Sequence, residues 1–193
     1  MQDSVAEGDI NKKSKSRNKR TTGITISVVL GYLIIKGILE LITPNNSSSY
    51  NAYMTQLQTD VAGIKSVNDK FQPLYLSFWQ KQNDNSIAAA IDSLCSIREP
   101  FLVHAESTIQ SMLAIDVPPK DTARLRGLRA NFNWQIKQGD VVKVLNEDLK
   151  QLSRRQGGQD AYELEMKIKA DYAEINRIDS CFSASSKALR SIQ

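Results

Sequence analysis

Residues 23–35 read GITISVVLGYLII without a single charge, and through KGILELI the apolar segment continues to residue 42. Twenty helical residues rise about 30 Å, the thickness of a bilayer's hydrocarbon core. Residues 23–42 therefore read as a transmembrane helix. Lys36 and Glu40 are four apart, share a helix face and can pair, and Lys36 lies near enough to the far end to snorkel. Before the segment stand Lys12, Lys13, Lys15, Arg17, Lys19 and Arg20; after it no Lys or Arg appears until Lys65. The positive-inside rule keeps such a tail, residues 1–22, in the cytoplasm and sends the rest of the chain across.

A cleaved signal peptide is the main alternative. Against it stand the long tail and an apolar run beyond the usual roughly 7–15 residues. No A-x-A site follows, Ser47-Ser48-Ser49 being a poor substitute, and the absence of a nearby Cys excludes a lipoprotein box. The flanking charge asymmetry argues against a buried core helix. The expected location is thus the inner or plasma membrane, single-pass, with the C-terminal domain extracytoplasmic. Most of the net charge of +4 comes from the basic cluster of the tail, the rest of the chain being nearly balanced, so it reads as a topogenic flank, and no nucleic-acid partner is expected.

Pro44 and the polar stretch after it make residues 43–49 a linker. Asn45-Asn46-Ser47-Ser48 holds two overlapping glycosylation sequons, close to the span and relevant only in a eukaryotic host. Residues 50–193 remain for one domain with a real core. With 9 Gly, 5 Pro and 24% charged residues in the chain, the composition suits a helical domain.

Apolar spacing marks four helices. The first covers about residues 49–82, with Met54, Leu57, Val61, Ile64 and Phe71 on one stripe; Pro73 is expected to interrupt it before a dense patch of Leu74, Tyr75, Leu76, Phe78 and Trp79. The second covers about residues 85–114, where Pro100 is expected to kink or split it. Val117-Pro118-Pro119 breaks the chain, and Asp121 or Thr122 is the expected cap of the third. Its stripe runs Leu125, Leu128, Phe132, Ile136, Val142, Leu145, Leu149 and Leu152, weakened at Gly139 and ended by Gly157-Gly158. The fourth covers about residues 160–192, with Leu164, Ile168, Ile175, Ile178, Phe182, Leu189 and Ile192 inward. Short connections make neighbours antiparallel, so the expected fold is all-α, an up-down antiparallel four-helix bundle behind the anchor, packed like a coiled coil.

No catalytic, cofactor or metal motif is present. His104 is the only histidine and has no motif partner for zinc. Cys95 and Cys181 are too far apart in sequence for CxxC chemistry. An oxidising compartment would allow a disulfide between them, contributing on the order of 4 kcal/mol. Up-down order instead makes the second and fourth helices diagonal, whereas a bridge needs Cα atoms within about 7 Å. Both outcomes stay open. Arg124, Arg126 and Arg129 could form an anion-binding patch, and Trp79 with Trp134 an aromatic pocket; an exposed face and a filled core are the plain alternatives.

Residues 115–152, IDVPPKDTARLRGLRANFNWQIKQGDVVKVLNEDLKQL, resemble a pattern of bacterial secreted or membrane-anchored helical bundles: a Pro-containing turn, a leucine-striped helix and a Gly-Asp pair near its middle. Families of this kind are mostly uncharacterised, so the resemblance implies fold and export but no activity. Arg126 stands near where such proteins often carry a His. The layout of tail, span and bundle also resembles the front half of a chemoreceptor, without the second span and signalling coiled coil of a complete one. The expected function is a non-enzymatic interaction or structural module with a protein partner or a second copy of itself. A small-ligand-binding, sensor-like bundle is the alternative.

Overall fold

The computed structural model describes residues 48–82, 84–115, 117–154 and 159–191. The basic tail, the apolar segment, most of the linker and Gly157-Gly158 lie outside the described residues. Among the described residues no helix is long and apolar enough to cross a membrane. Four helices follow one another: α1 Ser48–Gln80, α2 Asn85–Leu113, α3 Pro119–Ser153 and α4 Gln159–Arg190.

Each forms where apolar residues recur every three or four positions, and each buries that stripe. On α1 the buried positions include Leu57, Val61, Ile64, Phe71, Tyr75 and Phe78. Pro73 does not interrupt this helix, and Pro100 does not split α2. Both prolines are exposed, as are Asp69 and Ser96, whose carbonyls lose their donors. Water can satisfy those carbonyls, while buried side chains before and after each proline hold the helix to the core. Ser48, expected in the linker, already belongs to α1.

The helix starts differ in chemistry. Asp84 caps α2, its carboxylate accepting from Ser86 N at 3.0 Å and Ile87 N at 3.3 Å. α3 begins one turn earlier than expected. Pro118 is its N-cap residue and Pro119 opens the first turn, where a missing N–H costs nothing. Asp121 is instead buried beside Arg124 at 3.1 Å, and the Thr122 hydroxyl donates back to Pro118 O at 3.2 Å.

Cross-helix pairs set the topology. Asp60 meets His104 and Asn68 meets Arg98, so α1 and α2 run antiparallel. Glu106 meets Arg129 and Asp92 meets Asn146, which orients α2 against α3 in the same way. Asn131 meets Ser186 and Asp148 meets Lys167 between α3 and α4. Tyr75 bonds Asp179 and Phe78 packs on Tyr172, closing the ring between α4 and α1. This is an up-down four-helix bundle. Close backbone approach joins α1 to α2, α2 to α3 and α3 to α4, whereas α1 and α4 meet mainly through large side chains. Gly63 admits the Phe101 ring and Gly127 admits Leu189, each at a point where a Cβ would overlap the neighbouring side chain.

The core has two parts. Tyr50, Leu57, Ile64, Leu102, Ile109, Leu125, Phe132 and Leu189 pack at the end where α1 begins. Phe71, Phe78, Ile91, Val142, Leu149, Leu164, Ile168 and Ile175 pack towards the other end. Full burial of each such aliphatic or aromatic side chain contributes roughly 1.5–3 kcal/mol.

Candidate functional site

Between the two apolar clusters the bundle is crossed by buried polar side chains from all four helices. Arg98 of α2 is only 2% exposed. Its Nη1 donates to Asn68 Oδ1 on α1 at 3.1 Å, and its Nη2 to Gln138 Oε1 on α3 at 3.1 Å and to Gln135 O at 3.4 Å. The guanidinium lies 4.7 Å from the Phe71 ring centroid, within cation–π range. Gln138 passes the chain on, its Nε2 donating to Asp179 Oδ1 of α4 at 2.8 Å and to Tyr75 Oη at 3.1 Å. Tyr75 Oη in turn donates to Asp179 Oδ2 at 2.7 Å. Arg98 and Asp179 thus balance each other across a glutamine.

Burial pushes the Asp179 carboxyl up to about 6, and the hydrogen bonds from Tyr75 and Gln138 with the charge of Arg98 offset only part of that rise. The Tyr75 hydroxyl is raised well above its ordinary range, by burial first and by Asp179 second. Below this layer, α3 and α4 share a second acidic group. Asp148 is buried and accepts from Lys167 Nζ at 2.9 Å. Burial first, then the hydrogen bond and charge of Asp148, push Asp171 up to about 6, while Lys167 opposes. Oδ2 of each carboxyl is buried without a donor.

The residues singled out as a ligand or partner surface do not converge. Trp79 of α1 packs on Phe78 and Tyr172. Trp134 of α3 lies half-buried between Lys137, 4.8 Å away, and Arg177 of α4, 5.9 Å away. Arg124 is buried with Asp121, Arg126 is exposed, and Arg129 donates to Glu106 on α2 at 2.5 Å. Among the described residues, the cleft between α2 and α3 is lined by none of them. No family model, curated protein or solved structure matches this chain. Any function must therefore be argued from the bundle itself.

Cys95 and Cys181 are both free thiols, the first buried and the second half-buried. Burial raises the Cys95 thiol against the lowering effect of Arg98, which suits an inert core side chain. Cys95 also floors a cleft of about 70 Å³ between α2 and α3, beside Gly139 and rimmed by Asp92, Glu99, Asp140 and Lys143. That is room for a few waters and no more. His104 is exposed, its Nδ1 2.8 Å from the buried Asp60 carboxylate. No group of three or more metal-ligating side chains occurs among the described residues.

Sequence reasoning missed the polar layer, although its signal was present. Ile91, Cys95, Arg98, Leu102 and Ala105 form one continuous 4-3-4-3 stripe. An arginine on such a stripe is a buried position announced by spacing.

Proposed function

We propose that this chain is a single-pass membrane-anchored protein whose four-helix bundle serves as a protein-interaction or structural module at the cell envelope. The observation that carries this reading is the bundle's interior. It is filled by two apolar clusters and a polar layer whose members bond one another, so chemistry would have to be carried on its outer faces. A buried layer of this kind fixes helix register and orientation, which suits a rigid module that presents surfaces. Enzymatic activity and a nucleic-acid partner form no part of the proposal.

The anchor part rests on residues 23–42 and the one-sided basic flank. A reporter fused after Gln193 is expected to be active only on the extracytoplasmic side, and full-length protein to stay in membranes through an alkaline wash. A mature N-terminus near Tyr50 would replace the anchor with a cleaved signal.

A further inference from the structure

On the face of α4 turned away from the core, one helical row of apolar and small residues runs between flanks of charged ones. Ala161, Leu164, Ile168, Ile175, Ile178 and Leu189 point inward. On the opposite side Tyr162 is 61% exposed and Met166 48% exposed. One helical row continues from them through exposed Ala170, Ala173, Ser180, Ala184 and Ala188. Arg177, 56% exposed, interrupts the row, its guanidinium leaning to Glu174 at 2.6 Å and towards the Trp134 ring. Arg177 aside, the large side chains of the row lie at its N-terminal end and the small ones beyond. The ends also differ in charge: Asp160, Glu163 and Glu165 flank the first turns, with Lys169 and the Asp148-paired Lys167 following them, and Lys187 and Arg190 flank the last.

We infer that this face pairs with the same face of a second copy, the two α4 helices antiparallel about a two-fold axis at the level of Ile175. In that register Tyr162 meets Ala188 of the second copy, Met166 meets Ala184, and Ala170 meets Ser180. Large side chains fall on small ones at both ends, Ala170 and Ser180 are small on small, Arg177 falls beside Ala173, and small residues let two helix axes approach to about 8–10 Å. The acidic turns of each copy lie beside the basic turns of the other, at both ends, as a self-complementary two-fold contact requires. Parallel pairing would set Tyr162 on Tyr162 and like charges on like. The contact is as long as α4, whose 32 residues span about 48 Å.

This deepens the interaction-module reading and rests on it. The start of α1 and the end of α4 share one end of the bundle, where Tyr50 and Leu189 join the same cluster. Antiparallel copies therefore send their N-termini to opposite ends, and anchored copies meet from two facing bilayers.

Full-length protein in mild detergent, with Cys181→Ser to remove the more accessible thiol, tests the register. On oxidation, Met166→Cys mixed with Ala184→Cys is expected to yield a disulfide-linked dimer, while neither variant alone does so. Lys187→Glu/Arg190→Glu, at exposed positions, is expected to weaken self-association about tenfold or more, as is Asp160→Lys/Glu163→Lys. Mixing these two variants should restore pairing, because both ends of the mixed dimer are again complementary. A chain that stays monomeric at all attainable concentrations overturns the pairing, as does efficient cross-linking of Met166→Cys to itself. A monomer that still cross-links in its own membrane to a different envelope protein removes the self-pairing and leaves the module reading standing. A chain that pairs in this register but is released by alkaline wash removes the anchor and leaves the pairing.

Discussion

Arg98 and Asp179 are the residues on which the middle of the bundle depends. Removing one charge from a buried, hydrogen-bonded set strands the others, so Arg98→Met, which keeps the stem over Phe71, is expected to cost about 3–5 kcal/mol in urea unfolding. Arg98→Met with Asp179→Asn should lose less than the two single changes summed, because the stranded carboxylate is gone. The pH dependence follows from the same site. Asp179 holds its proton to about 6 in the folded chain against an ordinary value of 3.8, so between those values the folded state carries the extra proton. Stability therefore falls as pH rises from about 4 to about 6, by on the order of 3 kcal/mol, and is level in this respect above that. Asp171 acts in the same direction over the same window. Urea midpoints measured between pH 4.5 and 6.5 should show a shallower slope, roughly half, for Asp179→Asn than for the parent chain.

At the level of the helices, the glycines are not equivalent. Gly127 lies under the fully buried Leu189, and a Cβ there overlaps the end of that side chain, which would have to shift within the packed core. Gly127→Ala is expected to destabilise by roughly 1–3 kcal/mol, overpacking outweighing the gain in helix propensity. Gly139 faces the small cleft, and its added Cβ would stand 3.4 Å from Cys95 Cβ, an ordinary contact. Gly139→Ala should stabilise by up to about 1 kcal/mol, the propensity gain prevailing. Thermal melts of the two variants side by side check both signs. Helical spacing revealed all four helices because each buries one continuous stripe. It misjudged the interruption at Pro73, and α2 is not split at Pro100, because the consequence of a mid-helix proline depends on whether the orphaned carbonyl meets water, and exposure is a tertiary property; the start of α3 was misplaced because a proline in the first turn loses no helical bond.

For the molecule as a whole, the two thiols report the assembled bundle. Cys95 is buried and Cys181 half-buried, unbridged, on helices that the up-down order makes diagonal. A thiol reagent applied to native full-length protein is expected to modify Cys181 quickly and Cys95 only on the timescale of unfolding. Two free thiols should appear after denaturation without reductant. A quantitative link between them would require a different helix order. The compartment argument for a disulfide had no access to this adjacency, which exists only once the helices are packed.

The sequence by itself determined that this chain makes four long helices, which way each faces, and that short connections fold them back on one another. Those properties are local: apolar recurrence, turn residues and connection length act within a few turns of chain. What the tertiary structure decided is which interior polar residues meet one another. Arg98, Gln138, Asp179 and Tyr75 lie far apart in sequence, and each alone reads as an ordinary surface or stripe position. Only the axial level at which antiparallel helices settle brings them together, because burial makes an unpartnered charge so costly that the register which pairs them wins. The same levels separate Trp79, Trp134 and the arginines, which residue type alone had grouped.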